Sequence, residues 1–327
     1  MLKKINEIKA INLKLLCSIL VILIPPSLIT GPLFSDLFLS ISCILFIIIL
    51  YKEKKFYYFN NFFFKFFVFF WIYLIFNSLF SDNIFHSLKV SIFYIRFGIF
   101  CILVNFLICE YEKFLNNFFY VLLFTISFVV FDGFFQYFLG FNLLGFETID
   151  YPRISGMFGE ESILGSYISR LIPILVAFFF INKFNKSRII VFLLLIVLCQ
   201  VLVVLTGERT AAGIIILSTI FFVIFIKDIR ILKSIGFIIT IVAAATFIFL
   251  NLNNDIKKRI IDTTLMELGV SENKQVQITF EGVQPIYKNY YLFSPKHQSM
   301  YLTSFNMFKD KKSFYRFFIQ NLKKFSY

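Results

Sequence analysis

Two short polar segments interrupt an otherwise apolar sequence, and both place arginine beside acidic residues. The first is YPRISGMFGEESILGSYISR at 151–170, and the second is LTGERT at 205–210. Only 16% of the chain is charged, and a charge at or inside a bilayer costs free energy, so charges kept there usually serve a purpose. The charged residues of the two segments are Arg153, Glu160, Glu161, Arg170, Glu208 and Arg209.

The glycines of the first segment predict an irregular backbone ahead of a helix. Gly156, Gly159 and Gly165 permit turns and close approach of the backbone, and Ser162 stands where it could cap the helix that follows. A helix N-terminus in such a setting exposes N–H groups that suit an anion such as phosphate. Glycine-rich loops are common, and an ordinary loop is the alternative.

The three arginines have structural as well as functional interpretations. Arg153 could be a solvated loop charge, and Arg209 an interfacial side chain that reaches towards water. Arg170 lies about two turns inside a predicted span, where insertion of arginine costs about 2.5–3.5 kcal/mol. We expect Arg170 to face the helix bundle and to pair with Glu161 or Glu208, as a structural ion pair or as part of a site.

Long apolar runs must position these residues. The 327-residue chain is 59% hydrophobic, against about 45–50% for a soluble domain, which predicts an integral membrane protein. About 20 apolar residues are needed to cross the hydrocarbon. We predict an all-α, polytopic transmembrane helix bundle of about nine spans, at 13–31, 33–51, 62–80, 88–109, 114–139, 162–181, 188–206, 210–226 and 234–250.

The basic residues predict how the bundle is oriented. With nine spans, the lysine- and arginine-rich connections fall on one side, which the positive-inside rule assigns to the cytoplasm; the connection at Glu110 and Glu112 fits that side less well. The N-terminus is then cytoplasmic, and both polar segments face the periplasm or exterior. We predict a transmembrane domain at 1–250, a long periplasmic loop at 251–300 and a C-terminal segment at 301–327.

Several functions are disfavoured by the composition. The net charge of +13 is explained by the short connections, so it does not indicate nucleic acid. The five cysteines lie in or beside apolar runs, which disfavours disulfides and zinc. The sequence contains no P-loop, no G-x-G-x-x-G, no H-E-x-x-H and no D-x-D. It therefore predicts no metal site and no cofactor.

The two segments together resemble the motifs of a known superfamily. RISGMFGEESILGSY at 153–167 and LTGERT at 205–210, followed by a long loop with His297 near its end, resemble the O-antigen ligase and O-antigen polymerase superfamily of bacterial inner-membrane proteins. The resemblance covers about residues 60–310. It implies a metal-independent glycosyltransferase that moves a glycan from undecaprenyl pyrophosphate to lipid A-core or to another glycan on the periplasmic face. The implied partners are this lipid-linked donor, the acceptor and membrane lipids.

The resemblance also implies roles for individual residues. Arg153 and Arg209 would hold the pyrophosphate or its sugar, because arginine presents a planar set of donors and stays charged, and such electrostatic stabilisation is often the largest catalytic contribution. Glu161 or His297 would be the base that takes the proton of the acceptor hydroxyl. The remaining residues assigned to substrate binding are Gly156, Gly159, Glu160, Arg170 and Glu208.

Two alternatives remain open at this point. After TSFNMFKD at 303–310 the family pattern leads us to expect further spans, whereas the chain ends KKSFYRFFIQNLKKFSY. A truncated, inactive or short member of the superfamily is therefore one alternative. The other is a transporter or flippase for an anionic or lipid-linked solute, since Arg170 within a span would suit an anion path.

Overall fold

A computed structural model describes residues 13–81, 83–147, 153–181, 186–225 and Tyr301. The chain separates into two compact units, Met1–Leu250 and Asn251–Tyr327, and Tyr301 is the described residue of the second. In the described ranges all regular elements are helices. They are α1 Leu13–Ile22, α2 Ile24–Ser27, α3 Pro32–Glu53, α4 Phe62–Ser78, α5 Ile84–Phe93, α6 Ile95–Glu110, α7 Lys113–Leu139, α8 Leu164–Ile181, α9 Lys186–Leu205 and α10 Arg209–Phe225, with 3-10 turns at Leu28–Thr30, Phe56–Phe59 and Gly156–Phe158.

Three of these segments are long and apolar enough to cross a membrane: α3, the nearly continuous α5–α6 segment Ile84–Glu110, and α7. The bent pair α1–α2 is a fourth candidate, and α4, α8, α9 and α10 are shorter apolar helices. An all-α fold that includes at least three helices long and apolar enough to cross a membrane is thus confirmed for the described residues. The number of spans stays a prediction, because the span at 234–250, the loop at 251–300 and nearly all of 301–327 lie outside them.

The first predicted span is broken, and its prolines explain the break. Pro25 and Pro26 have no backbone N–H, so two carbonyls of the preceding turn lose their helical donors. The chain bends by 44° between α1 and the segment Ile24–Thr30. The break is also used in packing, since the Tyr167 hydroxyl of α8 donates to the Pro25 carbonyl at 2.7 Å.

Two hydrophobic cores hold the helices together. One joins α7, α8, α9 and α10 around fully buried side chains such as Ile126, Ile168 and Leu202. The other joins α1, α3 and α6 around Phe46 and Phe106. Helix α8 contacts α7, α9 and α10, and the turn Gly156–Phe158 ahead of it contacts α7.

Salt bridges between lysine and glutamate side chains connect the start of α1 with the ends of α3 and α6. These side chains are called the lysine cluster. The Lys14 ammonium lies 2.8 Å from the Glu53 carboxylate and 3.7 Å from that of Glu110. Lys55 lies 2.6 Å from Glu110, which also accepts from the Tyr58 hydroxyl at 3.0 Å. The acidic end of α6 thus lies among lysines, which accounts for its position on the basic side of the bundle.

The polar segments lie at the opposite end of α3 from the lysine cluster. The turn Leu28–Thr30, just before α3, contacts the turn Gly156–Phe158, whereas Glu53 ends α3 after 22 residues, about 33 Å away at 1.5 Å per residue. A second ion pair lies towards this far end, where Arg96 of α6 contacts Asp36 of α3 at 2.8 Å. The charge pattern predicts that this end faces away from the cytoplasm.

Replacing Glu110 with glutamine is expected to lower the unfolding free energy by about 1 kcal/mol, because two partly buried lysines lose a shared partner. Burial disfavours the charged form of Lys55, but hydrogen bonds to Glu110 and Glu53 outweigh it, so its pKa lies above the ordinary value. Such stability is present below the unfolded pKa of Lys55 and is lost as pH rises through its raised folded pKa. Unfolding in detergent, followed against pH, measures the difference between variant and parent.

The matched control is Glu112→Gln, because Glu112 is exposed and forms no ion pair within the described ranges. Equal effects of the two substitutions would show that the contacts of Glu110 do not stabilise the fold.

Candidate functional site

Helix α7 holds the first polar segment through Gln136, which is 1% exposed. Its side-chain oxygen accepts from the backbone N–H of Ser155 at 3.0 Å and of Gly156 at 2.7 Å. Buried backbone donors need partners, and a segment without regular structure must find them in side chains. Gln136 therefore fixes the backbone just after Arg153.

Asn142 and Asp132, both fully buried, complete this support. The Asn142 amide donates to the Gly156 carbonyl at 2.7 Å, and its oxygen accepts from Leu144 and Phe146 in the loop after α7. An Asp132 oxygen accepts from the Leu143 N–H at 2.9 Å. The loop after α7 and the segment at 153–159 are thus built on one set of buried polar side chains.

Gly156 sits where a residue with a Cβ would be strained. Its φ is +57°, in the left-handed region that disfavours residues with a Cβ. A Cβ there would also lie 3.0 Å from the second Asp132 oxygen. The glycine assigned to substrate binding is therefore explained by backbone conformation and packing.

The second polar segment reaches the first through Glu208. Its carboxylate accepts from the N–H of Gly165 at 2.7 Å, from the N–H of Ser166 at 3.0 Å and from the Ser166 hydroxyl at 2.5 Å. These N–H groups belong to the first turn of α8, where no helical acceptor is available. Glu208 thus caps α8, the task that the sequence suggests for Ser162.

Close packing accompanies this cap. A Cβ on Gly165 would lie 2.5 Å from the Thr206 hydroxyl oxygen and 3.0 Å from the Glu208 carboxylate. Thr206 is 1% exposed and donates its hydroxyl to the Val203 carbonyl. The end of α9 therefore touches the backbone of α8 directly, and both polar segments form one cluster.

The two arginines of the motifs flank the start of α8. Arg153 is half-buried and donates to the Ser162 carbonyl at 3.3 Å, two residues before the first residue of α8. Arg209 is also half-buried, and it is the first residue of α10, directly after Glu208. The structure thus brings the backbone of Arg209, which follows the capping Glu208, near the helix end where Arg153 donates, although the two arginines are 56 positions apart in sequence.

Other predicted site residues do not join this contact set. Glu160 and Glu161 are exposed, and Gly159 is half-buried with open space beside it. His297 lies outside the described residues. Glu161 therefore remains accessible to a substrate, whereas the position of the other candidate base is not described.

Arg170 differs from the expectation that it faces the bundle. Its side chain is exposed, and within the described residues it forms no ion pair with Glu161 or Glu208. The buried face of α8 carries Ile168 and Ile172. A residue two positions from each of these is turned by about 200° around a helix of 3.6 residues per turn, so Arg170 points away from that core.

The supporting residues of α7 were missed by the sequence analysis, although a signal exists. Asp132 and Gln136 stand four positions apart in the apolar run FDGFFQYFLGFN, so they share one helix face. Polar side chains on one face of a membrane helix usually face protein, because hydrocarbon offers them no partner. That pattern predicts a polar segment docked on α7.

A large apolar groove lies elsewhere. It has a volume of about 590 Å³ and lies between α7, α8 and α9, beside Phe119, Phe179 and Phe192. Phe179 is 15 positions beyond Leu164, the first residue of α8, which is about 22 Å along the helix. The groove is therefore separate from the arginines.

Comparison with protein-family models, curated proteins and solved structures finds no match to this chain. Its class accordingly follows from the fold. The described residues form helices, at least three of them long and apolar enough to cross a bilayer. These features are those of a helical membrane protein, and a cluster of buried polar groups lies around the start of α8.

Proposed function

We propose that the chain transfers a glycan from a polyprenyl pyrophosphate to a hydroxyl acceptor, in the manner of the O-antigen ligases and polymerases that its motifs resemble. The observation that carries the proposal is the meeting of the two motifs at the start of α8, where Arg153 donates to the Ser162 carbonyl and Glu208, directly before Arg209, caps the helix. Arginine matches phosphate geometry with paired N–H donors, and two of them at one membrane-proximal position suit a lipid pyrophosphate.

The chemistry requires little beyond charge stabilisation and one base. The acceptor oxygen forms a bond to the anomeric carbon, while the bond from that carbon to the pyrophosphate oxygen breaks. The pyrophosphate leaves with the bonding electrons, and the arginines stabilise its developing charge. The hydroxyl proton passes to a base within hydrogen-bond reach. The candidates are Glu161, which is exposed, and His297, which lies outside the described residues.

Replacing Arg153 or Arg209 with alanine is expected to reduce glycan transfer about 100-fold, the usual loss when a donor to a developing anion is removed. The measurement uses purified protein in liposomes with a polyprenyl-pyrophosphate-linked glycan and a lipid-linked acceptor. Lys113→Ala is the control, because Lys113 is an exposed cation at the far end of α7.

Unchanged transfer by both arginine variants, at normal protein level, would contradict the proposal. Uptake of an anionic or lipid-linked solute by the same liposomes, without glycan transfer, would favour the transporter instead.

A further inference from the structure

We propose that Glu208 is a positioning residue rather than a substrate ligand: it serves as the internal anion of the α8 N-terminus and sets the spacing of the two arginines. The inference rests on the proposed function only for its effect on transfer. The capping of α8 by Glu208 concerns the described residues alone and can be tested without any substrate.

The hydrogen bonds of Glu208 support this role. One carboxylate oxygen accepts from the Gly165 N–H at 2.7 Å, and the other accepts from both the N–H and the hydroxyl of Ser166. The residue is 8% exposed. Both oxygens therefore have protein partners, and a substrate hydroxyl or phosphate would have to displace them.

The helix end has a charge that this carboxylate matches. The N-terminus of an α-helix carries about half a positive charge on its free N–H groups, and such an end commonly binds an external anion. Here an internal carboxylate takes that place. Because the Thr206 hydroxyl and the Glu208 carboxylate already crowd the Cα of Gly165, the external anion of the proposed reaction must bind outside this position, towards the arginines.

Glu208 also links two helices. Its side chain caps α8, while its own carbonyl accepts from the Ala212 N–H at 3.0 Å in the first turn of α10. Arg209 follows it directly. The carbonyl that holds Arg153 belongs to Ser162, three residues before Gly165. A single buried side chain therefore fixes Arg209 relative to the segment that holds Arg153.

The test removes the carboxylate and then supplies one from solution. Purified Glu208→Ala is expected to unfold about 5 °C below the parent protein or lower, since two N–H groups of α8 lose their acceptor. Sodium acetate should raise its unfolding temperature more than sodium chloride of equal ionic strength. The difference between the two salts should be larger in Glu208→Ala than in the parent protein, which measures the general stabilisation by acetate. Glu208→Gln, which keeps one carbonyl acceptor, is expected to fall between the two and serves if the alanine variant does not fold.

Two results would overturn the structural role: an unfolding temperature of the variants equal to that of the parent protein, or an acetate response no larger in Glu208→Ala than in the parent protein. The transfer assay tests whether Glu208 also positions the arginines for glycan transfer. Glu208→Ala should lose about tenfold to a hundredfold in kcat, with partial recovery in acetate and a smaller change in KM for the lipid pyrophosphate.

The two proposals fail in distinguishable ways. If the parent protein transfers no glycan but acetate still rescues the stability of Glu208→Ala, the proposed function is wrong and the cap stands. If the parent protein transfers glycan and Glu208→Ala does so equally well, the positioning role is wrong.

Discussion

Gly165→Ala is expected to lower the thermal unfolding temperature clearly, while Gly213→Ala leaves it unchanged or raises it. Both glycines lie in helices, α8 and α10. A Cβ on Gly165 would meet the Thr206 hydroxyl at 2.5 Å and the Glu208 carboxylate at 3.0 Å, whereas no described residue lies within 4 Å of one on Gly213. Overpacking a tight contact costs about 1–3 kcal/mol. Alanine in place of an open helical glycine gains up to about 1 kcal/mol.

The comparison isolates the contact between the polar segments, because the two substitutions add the same methyl group to the same kind of backbone. Unfolding followed in detergent micelles gives the stabilities, and the transfer assay gives the functional consequence. Displacing the end of α9 from α8 would also move Arg209, so we expect Gly165→Ala to reduce transfer. Equal stability of the two variants would show that α8 and the Thr206–Glu208 turn are not in close contact.

The helices could be predicted from the sequence because each apolar run is a local signal. Runs such as 33–51 and 114–139 correspond to α3 and α7, and Gly31–Pro32 marks the start of α3. Pro25 and Pro26 also indicate a break, although the apolar run around them predicts one continuous span. What decided the bend was the loss of backbone donors, which a count of apolar residues does not include.

Contacts between distant residues could not be predicted in the same way. The segment LTGERT does not indicate that Glu208 caps α8, which begins 44 residues earlier. Any of several acids could accept from the N–H groups of the first turn of α8. The Asp36–Arg96 pair joins residues 60 positions apart. Each is a charge inside an apolar run, but the sequence does not show which charge of another run it contacts. Such contacts depend on how α3, α6, α8 and α10 pack against other helices. A single sequence does not determine that packing.

The composition of the candidate site stays a prediction, and its arrangement follows only partly from the sequence. The two motifs do meet at the start of α8, through Arg153 and Glu208. The glycines have structural reasons, however, and Arg170 points away from the core. An arginine in a span can also be exposed if its long side chain reaches towards the interface, so its depth in α8 did not determine which way it faces.

Gln136→Met is expected to destabilise the first polar segment by about 2–4 kcal/mol, because two buried N–H groups lose their acceptor and each unsatisfied group costs about 1–3 kcal/mol. The Gln136 oxygen now accepts from Ser155 and Gly156, and methionine has a similar length but no comparable acceptor. Release of this backbone would free Arg153, two residues earlier. Hydrogen exchange of the peptide at 153–159 measures the local effect, and the transfer assay measures the functional one.

Gln200→Met provides the matched control, since Gln200 is also buried in an apolar helix, at 7% exposed, but its side-chain oxygen accepts no hydrogen bond among the described residues. Replacing an unsatisfied buried acceptor with an apolar group of similar size should be neutral or stabilising. Loss of protection at 153–159 in Gln136→Met alone would show that α7 holds the segment through this one oxygen. If both substitutions leave exchange at 153–159 unchanged, Arg153 must be held by other contacts, and the support assigned to α7 is wrong.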